Sequence, residues 1–144
     1  MSSFKLTVRE SIRYRGRLGH YSWLAHRISG LGILAYLIIH VWDTANATFS
    51  PGWYQWTVDL FKHPLFGIGE ILLMAALLFH AFNGLRIALL DFKPEWWLQQ
   101  ERSALIVWIA FFVTFVPIGI YMFVGIITYC GEPTAWGASC WSIP

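Results

Sequence analysis

The amino-acid sequence predicts an all-α integral membrane protein of three transmembrane helices, with a cytoplasmic N-terminus and a C-terminus outside. Three observations carry this expectation. Of the 144 residues, 57% are hydrophobic and only 12% are charged, whereas a soluble domain needs about a quarter charged to face water. A chain this short cannot hide so much apolar surface in a core of its own, so lipid is the sink that remains. Three apolar runs each exceed the ~20 residues that cross a hydrocarbon core. Finally, the basic residues alternate between the connecting segments. Lys5, Arg9, Arg13, Arg15, Arg17 and Arg27 lie before or at the start of the first run. Lys62 alone separates the first and second runs, Arg86, Lys93 and Arg102 cluster between the second and third, and nothing basic follows. Lys and Arg are retained on the cytoplasmic side, which fixes the orientation.

The whole chain, 1–144, reads as one membrane domain. Residues 1–21 form a cytoplasmic arm, too long and too basic for a cleavable signal peptide. The first span covers about 22–45. Residues Ala47 to Lys62 make an outer loop with a turn signal at Pro51-Gly52. The second span covers about 64–90, and Pro64 sits in its first turn, where a missing N–H costs nothing. Asp91 to Arg102 is the inner loop, with Trp96 and Trp97 placed for the headgroup layer. The third span covers about 103–129, and Pro117 at its middle is expected to kink it. The outer tail, 130–144, follows, and Cys130 and Cys140 lie in a compartment that permits a disulfide. A net charge of +2 gives no reason to expect a nucleic-acid partner. Membrane lipid is the expected surrounding, in the cell inner or plasma membrane.

Ionisable residues inside spans are costly and mark function or pairing. They are His26 with Arg27, His40 with Asp43, Glu70, His80, and Arg86 with Asp91. Near span ends, as for Arg86, Asp91 and Glu70, reaching out to headgroups or water is the simpler account. His80 lies deeper, ~15 Å from the inner end of its helix, among Leu78, Phe79 and Phe82. A helix–helix hydrogen bond, a proton relay and axial haem ligation all suit a histidine there. Gly84, one turn on, leaves room for a macrocycle or for close helix packing.

His40 falls on nearly the same face as His26 but ~21 Å farther out. It differs in depth from His80 by roughly 9 Å, so the two cannot share one iron. His80 then needs a ligand partner from another chain. His40 either pairs with Asp43 or a neighbouring helix, or ligates a second haem. Ser22, Trp23, His26 and Arg27 crowd the inner end of the first span. Such a set suits quinone carbonyls or haem propionates, and equally suits lipid phosphates.

The string His26-Arg27-Ile28-Ser29-Gly30 resembles the H-R-[IV]-[ST]-G motif of the cytochrome b membrane-anchor subunit of succinate dehydrogenase (complex II). The string from His80 to Arg86, followed by Asp91, is similar to that family's H-x-x-x-G-[IL]-R-x-x-x-x-D signature. Both stand in the expected spans and order, and the likeness extends from about Arg15 to Tyr129. The resemblance implies an anchor that pairs with a second small membrane-anchor subunit and holds an iron–sulfur subunit and a flavoprotein subunit. Electrons from succinate then reach a quinone near the inner interface. By position His80 matches the axial ligand of haem b, its iron the one metal implied. His26 and Arg27 match residues near propionates and quinone. The family's quinone-site Ser stands three residues before the motif His; here that position is Trp23, and Ser22 is one residue further back. His40 resembles a feature of the two-haem branches, so the resemblance implies one haem b, or two if His40 ligates the second.

Two other functions compete with this one. A haemless structural anchor uses His80 only for helix packing. A proton or ion transport subunit uses His40, Asp43, Glu70 and His80 as a relay, but the ~15 Å of helix between Glu70 and His80 interrupts it.

Overall fold

A computed structural model describes residues 17–131, with side chains through Thr128. Most of the expected arm, the outer tail and both cysteines' side chains lie outside the described residues. The described chain is four α-helices and one 3-10 helix: α1 (Leu18–Phe49), α2 (Pro51–Phe61), α3 (Pro64–Phe92), the 3-10 helix Pro94–Gln99, and α4 (Gln100–Gly131). Helices α1, α3 and the apolar stretch within α4 are the three long and apolar enough to cross a membrane. At 29 residues, even α3 is about 43 Å long, more than the ~30 Å of hydrocarbon. The expected multi-pass, all-helical architecture is the one observed.

One rule sets three of the four breaks between helices. A residue that precedes proline is driven out of the helical region by the proline ring. Ser50 before Pro51 has φ −149° and ψ 75°, His63 before Pro64 has φ −68° and ψ 136°, and Lys93 before Pro94 has φ −131° and ψ 82°. Each proline then opens the next helix, where its missing N–H is no loss. His63 adds a cap, its Nδ1 accepting from the Leu65 N–H at 3.2 Å.

The outer segment therefore differs from the expected loop. Pro51-Gly52 starts a helix instead of marking a turn, and α2 occupies Pro51–Phe61. Trp53 and Trp56, one turn apart, pack at 5.2 Å between centroids, as suits an interfacial helix. Helix α1 also begins at Leu18, so the last residues assigned to the arm belong to the helix. Helix α4 continues through Pro117 without ending.

The core is small. Phe79 of α3 and Val107 and Phe111 of α4 are buried, with Ala25, Leu78, Phe82 and Trp108 packed around them. Phe79 meets Phe111 edge to face at 5.7 Å, and Phe111 stacks on Phe115 at 5.3 Å. Most other large apolar side chains point outward, Leu31, Ile38 and Ile106 among them. That suits a chain whose solvent is lipid. The buried residues of α1 are Ser22 and Ser29, which stand two turns apart on one face. Small residues let helices approach where lipid removes any hydrophobic drive between them.

Candidate haem and quinone site

Helices α1 and α3 bring His26 and His80 together. Their rings stack face to face, centroids 3.9 Å apart and planes 8° from parallel. One glycine makes this contact fit, and a second lies beside it. A Cβ on Gly30 would lie 2.9 Å from His80 Cε1 and 3.3 Å from its Nδ1, so only glycine seats that ring without displacement. On the opposite helix, a Cβ on Gly84 would meet His26 Cε1 at 3.4 Å. Helix α1 thus lends α3 a bare patch of backbone for His80, while Gly84 leaves His26 an ordinary contact. Lone pairs of imidazole lie in the ring plane, so faces stacked this closely cannot grip one iron from opposite sides.

The polar atoms of the pair are unequal. His80 Nδ1 is 3.1 Å from the His26 carbonyl oxygen and 3.2 Å from Ser29 Oγ. The Ser29 hydroxyl donates to that same carbonyl at 2.9 Å. No described residue forms a hydrogen bond with His80 Nε2. His26 Nδ1 is buried without a hydrogen-bond partner among the described residues.

Beside the pair runs a buried polar chain that crosses all three long helices. Ser22 and Asn83 are both 0% exposed. Trp108 Nε1 of α4 donates to Ser22 Oγ at 3.0 Å, and Asn83 Nδ2 donates to the Ser22 carbonyl at 3.4 Å. Arg86 Nη1 donates to Asn83 Oδ1 at 3.2 Å. Its Nε donates to Ser103 Oγ and its Nη2 to the Gln100 carbonyl, each at 2.9 Å. Arg86 therefore turns inward and does not reach for headgroups. Five guanidinium hydrogens need acceptors, and the α4 N-terminal turn supplies two.

Trp23 and Arg27 lie on the outward side of α1, both exposed. The Arg27 guanidinium carbon stands 4.0 Å over the Trp23 ring, a cation–π contact. His20 also stacks against Trp23, at 5.9 Å. The crowd of four residues expected at this helix end thus divides. Trp23 and Arg27 face outward, His26 faces α3, and the Ser22 hydroxyl is enclosed and already holds Trp108.

His40 sits apart from this group. Its side chain is exposed, and its Nδ1 faces the Tyr36 hydroxyl of its own helix at 3.5 Å, with the two rings stacked. The hydrogen bond expected with Asp43 is absent among the described residues, where Asp43 Oδ1 is buried without a partner. Glu70, Lys62 and His63 line a cavity of about 340 Å³ at the far end of the bundle, floored by Gly67, Met122 and Ile126.

Sequence reasoning named Ser29 only as a position of the first motif and did not single out Asn83, Ser103 or Trp108. The signal for two of them was present. Ser22 and Ser29 are seven apart, and Asn83 precedes Arg86 by one turn. Nothing local in the sequence marks Trp108 as Ser22's donor.

The profile of the family described as succinate dehydrogenase/fumarate reductase transmembrane subunit matches residues 7–119. The chain belongs to that family. The match takes in all three long helices' site residues, from Ser22 to Trp108. A relative from Mycobacterium tuberculosis, named succinate dehydrogenase 2 membrane subunit SdhC, is 41% identical over 107 residues, 74% of this chain and 79% of its own length. A second, from Archaeoglobus fulgidus, is named succinate dehydrogenase hydrophobic membrane anchor subunit. It is 37% identical over 70 residues, 49% of this chain and 60% of its own. As a transmembrane subunit of this family, the chain is a multi-pass membrane protein that works within a larger complex.

Proposed function

We propose that this transmembrane subunit is the cytochrome b anchor of a succinate:quinone oxidoreductase. It docks the flavoprotein and iron–sulfur subunits, pairs with a second small membrane-anchor subunit, and supplies one ligand to a haem b. It has no complete active site alone. The end of the bundle that carries Arg17, Arg86 and Arg102 is the cytoplasmic end, where the basic residues gather.

The seating of His80 carries this reading. A metal-ligating histidine typically gives its other ring N–H to a backbone carbonyl, which fixes the ring and raises its basicity. His80 Nδ1 stands in that relation to the His26 carbonyl, and Nε2 is left without a hydrogen bond from the described residues. Gly30 seats the His80 ring against the backbone of α1. These residues fit a haem, with His80 Nε2 as the atom to hold its iron and the second ligand from another chain. Haem b, when bound, takes up and returns one electron.

His26 and Arg27 serve the anionic groups. The unpartnered His26 Nδ1 and the guanidinium of Arg27 suit a propionate or a quinone carbonyl. Trp23, held flat by Arg27, offers a ring face to a quinone. Ser22 supports this surface from behind: fully buried and accepting from Trp108, its hydroxyl reaches a quinone only if the packing around it opens. His40, exposed at the other end of α1, is the ligand if the complex holds a second haem, which another chain would have to complete.

The test is a reduced-minus-oxidised visible spectrum with a pyridine haemochrome assay on the purified complex. Wild type stands beside His80→Ala and His40→Ala. A low-spin b-type signal that His80→Ala abolishes supports the reading, and loss of half the haem in His40→Ala adds the second haem. Wild type without haem leaves a haemless anchor, and an unchanged spectrum in His80→Ala removes His80 as ligand.

A further inference from the structure

We propose that Ser29 is a positioning residue that holds the proton of His80 on Nδ1, and so assigns Nε2 as the iron-binding nitrogen. The inference rests on the cytochrome reading above and adds a residue that reading does not use.

The proton can be located from the acceptors around it. The His26 carbonyl oxygen carries no hydrogen and only accepts. His80 Nδ1 lies 3.1 Å from it, a distance at which two lone pairs would repel, so Nδ1 must carry the hydrogen. The Ser29 hydroxyl has one hydrogen, which lies along the 2.9 Å contact to that same carbonyl. Its oxygen therefore turns a lone pair toward His80 Nδ1, 3.2 Å away. Nδ1–H is shared between two acceptors, the carbonyl and the hydroxyl. A neutral imidazole protonated at Nδ1 has its lone pair at Nε2.

Ser29 is suited to this because it is fixed. It is 7% exposed and anchored by its own bond to the carbonyl one turn before it. The next residue, Gly30, leaves the ring the room it needs: an added Cβ would press on the Cε1 and Nδ1 edge itself. Consecutive residues thus supply an acceptor and a gap. With Ser29 removed, one of the two acceptors is lost and the carbonyl alone holds the ring; a ring held by one contact turns more readily, and once it leaves the carbonyl its proton can move to Nε2. That nitrogen then has no lone pair for iron.

The experiment uses the whole complex purified from cells unable to make haem, with ¹⁵N-labelled histidine. His80→Gln identifies the His80 signals. The nitrogen shifts of His80 report which nitrogen is protonated, and titration with haemin reports affinity. The comparison is wild type, Ser29→Ala and Ser29→Thr, the last retaining a hydroxyl. The expected result is Nδ1–H in wild type and in Ser29→Thr. Ser29→Ala should show a raised Nε2–H fraction and about 10-fold weaker haemin binding, the scale of losing a ligand's supporting hydrogen bond. Ser29→Ala that matches wild type in both shifts and affinity overturns the proposal. So does a Ser29→Thr that loses as much as Ser29→Ala, because packing would then be the cause. If wild type takes up haemin and only the Ser29 comparison fails, the inference falls alone; if wild type takes up none, the cytochrome reading falls and carries the inference with it.

Discussion

The two ends of the bundle are joined by different means. At the Arg86 end, side chains bond from helix to helix: Trp108 to Ser22, Asn83 to the Ser22 carbonyl, Arg86 to Ser103 and Gln100. At the Phe49 end, the hydroxyls and amides turn back on their own helices. Thr44 bonds the His40 carbonyl, Asn46 that of Trp42, and Thr128 that of Val124. Close approach there comes from a small residue, since a Cβ on Gly67 would lie 2.7 Å from Ile126 Cδ1. Both are ways to join helices in a solvent that gives no hydrophobic drive. They differ in what they fix. Shape alone lets a helix slide or rotate a little, whereas a hydrogen-bonded chain sets the register of named atoms. The end with His80 is the one that needs atoms in place.

Gly30→Ala is the largest expected break in that arrangement. The new methyl would meet a rigid ring, not the tip of a flexible chain, so α1 and α3 must part or His80 must leave its seat. Overpacking of this kind costs about 1–3 kcal/mol. A Cβ on Gly32, two residues on, would have nothing within 4 Å, so Gly32→Ala is the control and should be neutral or slightly stabilising. Denaturation midpoints of the purified complex compare them directly. Equal midpoints would mean that α1 is not held against His80 as described.

The polar chain should yield a smaller loss. Single deletions such as Ser22→Ala or Asn83→Ala strip a partner from a buried group. Interhelical hydrogen bonds in membranes nevertheless average only about 0.6 kcal/mol, up to about 1.7. A double-mutant cycle on Ser22→Ala and Trp108→Phe isolates their bond, and a coupling in that range is expected. Zero coupling would reduce Ser22 to a small residue that merely lets α4 approach, which would make this end resemble the other.

Much of this was legible in the sequence, and the pattern of what was not is instructive. The three long helices follow from length and apolarity, and the interruptions before Pro51, Pro64 and Pro94 follow from those prolines. The same prolines misled the reading of the outer segment, because Pro51 is as good at opening a helix as at making a turn. The pairing of His26 with His80 was not legible. Depth along a helix can be counted, but the rotation of α1 against α3 depends on which small residue the partner ring packs on, here Gly30 under His80. Arg86 was expected to snorkel because it stands near a span end; Asn83, one turn before it, and Ser103 and the Gln100 carbonyl, from the next helix across a tight connection, hold it inward instead. Spacing alone left His40 open to Asp43, a neighbouring helix or a second haem. Tyr36, a turn earlier on the same helix, is equally near, and its ring stacks on the imidazole.

The smallest effect tests the far end of the comparison from outside the spans. Just past the end of α2, Lys62 Nζ donates to Asp59 Oδ1 at 2.6 Å, and this hydrogen bond is the main cause that holds the Asp59 carboxyl below its ordinary value of 3.8. A carboxylate lowered in the folded state stabilises it above the unfolded pKa and loses that contribution as pH falls through the folded value. The pair therefore helps α2 at neutral pH and ceases to do so only in acid. Both side chains are open to water, so solvent screens the pair and its effect on overall stability should be hard to detect. The local titration is the better measurement. The carboxyl carbon of Asp59, followed by NMR, should titrate below 3.8 in wild type and move upward in Lys62→Met. An unmoved midpoint would show that Lys62 does not set it. Because α2 carries neither a buried polar chain nor a glycine seat, Lys62→Met should leave the His80 nitrogen shifts unchanged, and a change there would mean that the two ends are coupled through α3.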